Sequence, residues 1–357
     1  MTGTSMDALD AALVRIDGTG LDMTATFVRG ISEPFKTLTK ILLPVTQQKP
    51  YPAHKLRRYA LMLGMTHLIG LRKLLGKETD KVDLIAVHGQ TVYHEPRMSM
   101  QIMDPWVLAS EFRRPVVFDL RGADTACGGE GAPITPIADH VLFRGGEKTT
   151  AVVNLGGFIN FTWLPPTRRG RGDAGALRSI RAGDVCPCNQ LLDAIARLCF
   201  KKRYDKDGER AMSGTVNERA LGMLTMMLDT RARLGASLGT GDEALNWVKM
   251  FRRKDNGADL ARTACAAIAH TVAGRIGEAD RVLVAGGGMH NAALMHELRQ
   301  AIAAPIEPTD QHGVPSQYRE AIAMTILGAL SQDRVPITLP QVTGCENPMV
   351  AGAWINP

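Results

Sequence analysis

The sequence predicts an α/β protein made of two lobes with mixed β-sheets. The chain has 357 residues, which is enough for two hydrophobic cores. Short apolar segments of strand length alternate with longer amphipathic segments of helix length, an order typical of α/β proteins. Each half also opens with a strand hairpin beside a turn of small residues, which is consistent with a duplicated lobe.

The first lobe is predicted over residues 1–147. Strands at 11–16 and 23–28 flank the turn signal Asp17-Gly18-Thr19-Gly20. Apolar residues at helical spacing predict a long helix over 53–75. The elements that complete this lobe are a strand at 83–87, a helix at 104–112 and a strand at 115–118.

The second lobe is predicted over residues 148–334. A strand at 150–154 runs into Gly156-Gly157, and 158–164 continues as its hairpin partner. The Gly- and Arg-rich stretch 168–175 reads as an exposed loop. The remaining elements are helices at 189–200, 216–228 and 260–276, a strand at 281–285, and helices at 291–303 and 317–332. Residues 335–357 are predicted to return towards the first lobe.

Composition excludes several classes of partner. Aromatic residues make up only 5% of the chain, so a base-stacking nucleic-acid surface has little to draw on. The net charge of +6 comes from scattered basic residues, which indicates solvated surface charge. No apolar run approaches the ~18 residues that span a bilayer. The six cysteines lack the spacing of a secreted domain, so we expect a cytoplasmic protein without nucleic-acid or membrane partners.

Three glycine-containing turns lie where a nucleotide could use them. Gly3-Thr4-Ser5 offers free N–H groups and hydroxyls to phosphate oxygens. Gly156-Gly157 joins two strands, and Gly286-Gly287-Gly288 follows a strand and precedes a helix at Asn291, where backbone can approach a nucleotide closely. Each turn alone is weak evidence. In this order they match the phosphate-1, phosphate-2 and adenosine segments of the actin-like sugar kinase and chaperone ATPase superfamily.

Other nucleotide-binding signatures are absent. Gly146-Glu147-Lys148-Thr149 lacks the glycine directly before lysine that a P-loop needs, and no G-x-G-x-x-G opens a helix after a first strand. Asp7 and Asp10 follow the first glycine turn, and one of them could hold Mg²⁺ through water.

Several longer strings resemble one family in collinear order from residue 3 to the last dozen residues. They are GTSMDALD (3–10), HGQTVYH (88–94), QIMD (101–104), FDLRGAD (118–124), GEGAP (129–133), NLGGFIN (154–160), AGGG (285–288) with Asn291, and QVTG (341–344). Together they are similar to the anhydro-N-acetylmuramic acid kinases. The resemblance implies a two-lobed actin-like ATPase fold of the ribonuclease H-like type, with an interlobe nucleotide cleft, and a possible homodimer.

The resemblance also implies a reaction. Family members use ATP and Mg²⁺ to cleave the 1,6-anhydro bridge of anhydro-N-acetylmuramic acid and to phosphorylate O6, within peptidoglycan recycling. The residues that the family pattern assigns to ATP are Gly3, Thr4, Ser5, Met6, Asp7, Ala8, Asp10, Gly156, Gly157, Gly286, Gly287, Gly288 and Asn291. Asp7 is also the expected contact to Mg²⁺ through water.

The catalytic base of the family falls on Asp184, in the string from Gly183 to Asn189. The chemistry needs an ionised carboxylate within hydrogen-bond reach of a water. Without the other strings, Asp184 would be interpreted as a turn or N-cap residue before the helix at Asn189. The expected sugar-binding residues are Arg121, Asp124, Asn160 and Glu320. Arg121 offers a planar fork to a carboxylate or phosphate, although a salt bridge is an alternative role.

The two histidines of HGQTVYH and the two cysteines of Cys186-Pro187-Cys188 do not indicate metal. His88 and His94 lack a third ligand nearby, and a C-P-C without a second pair is a poor zinc site. Both cysteines stand where the family has glycines. If those glycines need a positive φ, each cysteine is expected to strain the catalytic loop by about 1 kcal/mol or more.

Other departures from the family pattern keep alternatives open. The family has residues before GTS that form a first strand, which is expected to be missing here and to leave an exposed sheet edge. The glycine after Asp7 is Ala8, and the family's P-P-K-S-T-G-R segment is eroded at 236–242. The alternatives are a kinase for another anhydrosugar, such as levoglucosan, or a catalytically impaired relative that binds sugar or nucleotide.

Overall fold

The computed structural model describes residues 1–3, 6, 8–35, 38–167, 174–233, 242–252 and 256–357. These residues divide into two compact units. Unit 1 comprises Met1–Gly146, Thr167–Ile180 and His312–Pro357, and unit 2 comprises Glu147–Pro166 and Arg181–Gln311. The sequence-based lobe boundaries at 147/148 and 334/335 stay predictions.

The elements of unit 1 come from both ends of the chain. Its strands are β1 (Ala8–Asp17), β2 (Thr24–Pro34), β3 (Ile85–Ala86), β4 (Gln90–Glu95), β5 (Met98–Ile102), β6 (Val116–Phe118) and β12 (Ala353–Ile355). Its α-helices are α1 (Leu38–Thr46), α2 (Ala53–Leu75), α3 (Trp106–Phe112), α4 (Gly122–Ala126), α5 (Pro136–Phe143), α6 (Ala174–Ser179), α13 (Arg319–Gln332) and α14 (Pro340–Thr343).

The described strands of unit 1 form three small sheets. β1 and β2 pair antiparallel, with a register shift between Leu13 and Val14. β3 runs parallel to β6, and β12 pairs antiparallel with the other edge of β6. β4 and β5 form a separate hairpin. Apolar residues from β1, α2, β3, α3, β6 and β12 share one core cluster, so the C-terminal strand belongs to the same core as the N-terminal hairpin.

Helix α2 confirms the predicted helix at 53–75 residue for residue. Its buried positions include Leu63, Leu68 and Leu75, on one face as the helical period requires. Gly76 ends the helix with a φ of 57°, a conformation that glycine adopts at low cost, and its N–H caps the carbonyl of Arg72.

Unit 2 is built around one five-stranded sheet. Its strands are β7 (Thr150–Leu155), β8 (Phe158–Leu164), β9 (Arg181–Pro187), β10 (Arg281–Ala285) and β11 (Ile306–Pro308). Its α-helices are α7 (Asn189–Ile195), α8 (Glu209–Met212), α9 (Glu218–Arg233), α10 (Asp242–Phe251), α11 (Gly257–Ile276) and α12 (Ala292–Ala301).

The strand order of this sheet is β11-β10-β7-β8-β9. β10 runs parallel to β11 and β7, whereas β8 is antiparallel to β7 and β9. Every residue of β7 is buried, as expected for a central strand covered on both faces. The predicted α/β class with mixed sheets is therefore confirmed.

Some elements differ from the sequence-based expectation. The predicted helix at 189–200 keeps α-helical form only to Ile195 and continues as a π-helix over Ala196–Phe200. Of the predicted loop at 168–175, residues 168–173 lie outside the described residues, and Ala174 begins α6. Strand β9 was not predicted, because a turn or loop was expected around Asp184.

A buried ion pair joins α5 to the start of α13. The Nη2 atom of Arg319 contacts both carboxylate oxygens of Asp139, and the two side chains are 2% and 0% exposed. A buried charge without its partner is costly, because neither water nor protein then solvates it. The pair therefore fixes the first turn of α13, which also carries Glu320.

We predict that Asp139→Asn lowers the free energy of unfolding by about 3 kcal/mol, because it leaves Arg319 as an uncompensated buried cation. The exposed pair Arg15–Asp17, whose side chains are 68% and 65% exposed, supplies the matched control. We expect Asp17→Asn to change the free energy by less than about 1 kcal/mol. Urea unfolding measures both variants, and equal losses would contradict the buried pair's role.

Candidate active site

The two glycine turns of unit 2 lie at one edge of its sheet. β7 ends at Leu155 and β10 ends at Ala285, and the two strands pair in parallel with Asn154 opposite Ala285. The turns that follow, Gly156-Gly157 and Gly286 onward, therefore emerge side by side. This is the edge at which ligands bind in open α/β sheets.

The first of these turns is tied to the start of α7. The carbonyl of Gly156 accepts from the Asn189 N–H at 3.2 Å, and that of Gly157 accepts from the Cys188 N–H at 2.9 Å. The Asn189 side chain donates back to the carbonyl of Leu155 at 3.2 Å. The hairpin turn, the end of β7 and the first residue of α7 thus hold one another in place.

The second turn requires glycine at its first position. Gly286 has a φ of 87°, and a Cβ there would lie 2.8 Å from Asn154 Oδ1 and 2.9 Å from the backbone of Leu155. A Cβ at Gly288 would lie 2.9 Å from the Cβ of Leu155. The backbone of this turn therefore packs directly on the end of β7, which is possible only because side chains are absent.

Asn291 serves as the N-cap of α12. Its side-chain oxygen accepts from the Leu294 N–H at 3.0 Å, and Gly208 packs against the same oxygen. The predicted helix start after the glycine triplet is confirmed. The capping bond gives Asn291 a structural role in addition to the predicted role in binding ATP.

Asp184 lies on β9, at a β-bulge. Asn160 of β8 pairs with Asp184, whereas the preceding Ile159 pairs with Cys186, so Val185 is the extra residue. Asp184 is exposed and Val185 and Cys186 are buried. A bulge changes the direction of neighbouring side chains, and bulges are frequent beside active sites. The structure thus brings Asn160 and Asp184, two predicted site residues, to facing positions on adjacent strands.

The cysteines beside Asp184 do not strain the backbone as expected. Neither Cys186 nor Cys188 has a positive φ, and Cys188 has a φ of −119°. Both side chains are buried in the main core of unit 2. Burial raises the pKa of both thiols above the ordinary range, so they remain protonated. The condition for the expected strain, a positive φ, is therefore not met: Cys186 lies in β9, and Cys188 is the N-cap residue of α7.

In unit 1, Arg121 is held by two acceptors. Its Nε donates to Nε2 of His88 at 2.9 Å, and its Nη1 donates to the carbonyl of Gly131 at 2.6 Å. Two residues before Arg121, Asp119 has a φ of 52°, and its side chain accepts a hydrogen bond from the Gly122 N–H. His88 and Arg121 are 33 positions apart in sequence, so this hydrogen bond joins the string HGQTVYH to the string FDLRGAD.

Asp124 is 1% exposed, and the protein itself occupies both carboxylate oxygens. Oδ2 accepts from the Gly131 N–H at 2.7 Å, and Oδ1 accepts from the Thr343 hydroxyl at 2.7 Å. Gly129 packs so closely that a Cβ there would lie 2.4 Å from Oδ2. This geometry favours a role in shaping the 129–133 segment over the predicted direct contact with sugar.

Glu320 lies in the first turn of α13, close to the start of the chain. Burial lowers the pKa of the Met1 amino group to about 6, and the carboxylates of Asp10 and Glu320 oppose this shift. Gln90, which is fully buried, donates to the carbonyl of Gly3 at 3.3 Å.

The rest of that first turn is only partly described. The Met6 N–H donates to the carbonyl of Gly3 at 3.2 Å, Met6 has a φ of 52°, and Ala8 begins β1. The predicted ATP contacts Thr4, Ser5 and Asp7 lie outside the described residues, and so does the predicted Mg²⁺ contact at Asp7.

The sequence reasoning missed several side chains that build the site. All five of these residues, His88, Gln90, Asn154, Asn189 and Thr343, lie inside strings that carried the family resemblance. The resemblance places His88 as structural or near the substrate, and the strings assign no contact to the other four. Among the described residues, no group of three or more His, Cys, Asp or Glu side chains could hold a metal ion. No helix in the described part of the chain is long and apolar enough to cross a membrane.

We predict that Gly286→Ala lowers the free energy of unfolding by about 2 kcal/mol and weakens ATP binding, because the methyl group meets backbone and the φ is unfavourable. Gly274 of α11 is the control, since it is exposed and a Cβ there meets no atom within 4 Å. Gly274→Ala should be neutral or stabilise by up to about 1 kcal/mol. Urea unfolding and calorimetric titration with ATP test both, and equal behaviour would contradict the close approach.

Two solved structures to which this chain is similar show low identity and low TM-scores. One is the Acidaminococcus fermentans (R)-2-hydroxyglutaryl-CoA dehydratase component A, with a TM-score of 0.45 and 12% identity, covering 90% of this chain and 98% of that one. Another is the Streptomyces griseus ROK family glucokinase in complex with glucose and AMPPNP, with a TM-score of 0.35 and 12% identity, covering 90% and 99%.

Sequence comparison covers the whole chain. The family profile described as anhydro-N-acetylmuramic acid kinase matches residues 1–357. A protein of that name from Acidiphilium cryptum is 32% identical over 100% of this chain and 97% of its own length. One from Bordetella parapertussis is 34% identical over 99% and 94%. Identity at this level over full length establishes common descent, and the chain belongs to the anhydro-N-acetylmuramic acid kinase family.

Proposed function

We propose that this protein is an ATP-dependent carbohydrate kinase that acts on anhydro-N-acetylmuramic acid. In the proposed reaction, water adds to the anomeric carbon, the bond from that carbon to O6 breaks, and O6 takes the γ-phosphoryl group of ATP. The products are N-acetylmuramic acid 6-phosphate and ADP. The observation that carries the proposal is the match to this kinase family over residues 1–357.

Asp184 is the proposed general base. Its carboxylate accepts a proton from the attacking water, and the proton transfer makes the water oxygen a stronger nucleophile. The exposed position of Asp184 beside the bulge supports this role, because a base must reach solvent-derived water. Asn160, opposite Asp184 on β8, is the proposed neighbour that contacts the sugar.

Arg121 and Glu320 of unit 1 are the proposed sugar contacts. The guanidinium of Arg121 suits the lactyl carboxylate, because it offers two parallel donors to two acceptor oxygens. The carboxylate of Glu320 suits a sugar hydroxyl, which donates to it. Asp124 is proposed to act indirectly, since it holds the Gly131 backbone whose carbonyl orients Arg121.

The glycine turns are the proposed contacts to ATP. Gly156-Gly157 and Gly286-Gly287-Gly288 present backbone without side-chain obstruction at one sheet edge, which suits phosphate oxygens and a nucleoside. Gly3 to Asp10 is the proposed second phosphate contact. Mg²⁺ is proposed to accompany ATP, where it neutralises phosphate charge; such an ion needs only one or two protein carboxylates, and Asp7 or Asp10 fits that need.

We also propose a cytoplasmic location, a place in peptidoglycan turnover and a homodimeric state, as the family resemblance implies. The lobe boundaries at 147/148 and 334/335 belong to the same proposal. The location and the place in metabolism follow from the expected source of the sugar, which is a cell-wall fragment, whereas the homodimer rests on the resemblance alone.

A coupled ADP-release assay tests the function. We expect turnover with ATP and anhydro-N-acetylmuramic acid, and weaker or no turnover with levoglucosan, which lacks the lactyl carboxylate. Asp184→Asn should lower kcat by about 10²- to 10⁴-fold, because the amide cannot accept the proton. Asp207→Asn, at an exposed position of unit 2, is the control and should leave kcat unchanged.

Two outcomes would overturn these assignments separately. Wild-type protein that binds ATP but releases no ADP with anhydro-N-acetylmuramic acid would contradict the function. Turnover that survives Asp184→Asn unchanged would leave the function standing and remove Asp184 as the base.

A further inference from the structure

The contact between His88 and Arg121 fixes the protonation state of the imidazole. The Nε of an arginine is always protonated and can only donate, so Nε2 of His88, 2.9 Å away, must accept. An imidazole that accepts at Nε2 is neutral and carries its proton on Nδ1. His88 is 7% exposed, and burial together with the charge of Arg121 holds its pKa well below the usual range.

The backbone holds His88 rigidly. His88 follows β3, and the N–H of Val87 donates to the carbonyl of Val117 in β6 at 2.9 Å. The next residue, Gly89, lies so close to β5 that a Cβ there would be 2.8 Å from the carbonyl of Ile102. The backbone on both sides of His88 is therefore held by two sheet segments, which limits where its side chain can start.

Two acceptors on different atoms define the orientation of the guanidinium. His88 accepts from Nε and the Gly131 carbonyl accepts from Nη1, so rotation about the last side-chain bonds of Arg121 is restricted. Both of these acceptors are neutral. A carboxylate in the place of His88 would orient the guanidinium equally well but would compete with an anionic ligand.

We infer that His88 is a positioning residue that orients Arg121 towards a carboxylate of the bound sugar, by accepting from its Nε. The inference rests on the proposed function, in which Arg121 binds the lactyl carboxylate. It gives a specific role to the first residue of HGQTVYH, which the family resemblance places only as structural or near the substrate.

Steady-state kinetics with variants of His88 test the inference. Loss of one hydrogen bond to a charged group should raise the KM for anhydro-N-acetylmuramic acid by about 10- to 100-fold in His88→Leu. The KM for ATP should stay within about twofold. His88→Gln can place an oxygen near the position of Nε2 and should recover the sugar KM to within about fivefold, whereas the shorter His88→Asn should not.

A double-mutant cycle separates positioning from general packing. If His88 acts through Arg121, His88→Leu should have no further effect on the sugar KM in an Arg121→Leu background. His140→Leu, which removes another buried imidazole from unit 1, should leave the sugar KM unchanged. An unchanged KM in His88→Leu, an additive cycle, or an equal effect of His140→Leu would overturn the inference.

Nitrogen-15 NMR of labelled histidine tests the same contact without turnover, and so distinguishes the inference from the proposed function. The imidazole signal of His88 is identified as the one that is absent from the spectrum of His88→Gln. In the wild type, that signal should show a proton on Nδ1 and none on Nε2. In Arg121→Leu, part of that signal should shift to the tautomer protonated at Nε2. A wild-type His88 protonated at Nε2 would overturn the inference even if the enzyme is active. Inactive wild type with the expected tautomer would contradict the function alone.

Discussion

The parallel pairing of β7 with β10 is the constraint on which the candidate nucleotide site of unit 2 depends. It places the ends of two strands, 130 residues apart in sequence, at one edge of the sheet. The turn after β10 then packs on the last residue of β7 so closely that Gly286 and Gly288 have no room for a Cβ. The hydrogen bonds from α7 to the Gly156-Gly157 turn complete the arrangement. Without that pairing, the two separate stretches of glycine in unit 2 would be only turns.

The candidate sugar site of unit 1 depends on a different principle. Its organisation comes from side chains that hydrogen-bond to one another and to backbone in a buried setting, where an unmade bond is expensive. Thr343 contacts Asp124, Asp124 holds Gly131, and Gly131 and His88 hold Arg121. A conservative change in Thr343 or Asp124 can therefore alter the orientation of Arg121 through Gly131.

Much of the fold could be predicted because periodicity and apolar runs are local signals. Residues 53–75 have a helical spacing that tertiary contacts do not override, and the apolar run at 281–285 has the length and flanking glycines of a buried strand. β9 escaped prediction because its bulge places Val185 and Cys186 both inside, which breaks the alternation that marks a strand.

The candidate site was likewise predictable only where its signals are local in sequence. Glycine turns and the Asp184 string were visible in the sequence, since each is a short contiguous pattern. The His88–Arg121 and Thr343–Asp124 contacts were not, because they join residues that are distant in sequence and no local pattern reports their tautomers or partners. The expected strain at Cys186 and Cys188 depended on a positive φ at the glycine positions of the family, a condition that no local pattern tests and that neither residue meets here.

The buried pair of Arg319 and Asp139 has a consequence for the order in which the protein is made. The two residues are 180 positions apart, and Asp139 leaves the ribosome long before Arg319 exists. Until then Asp139 lacks the cation that it contacts in the final structure, so α5 cannot reach its final buried environment. Unit 2 is encoded almost wholly between them and can form its core first. Unit 1 can complete its core only after residues 312–357, which supply α13 and β12, have been made.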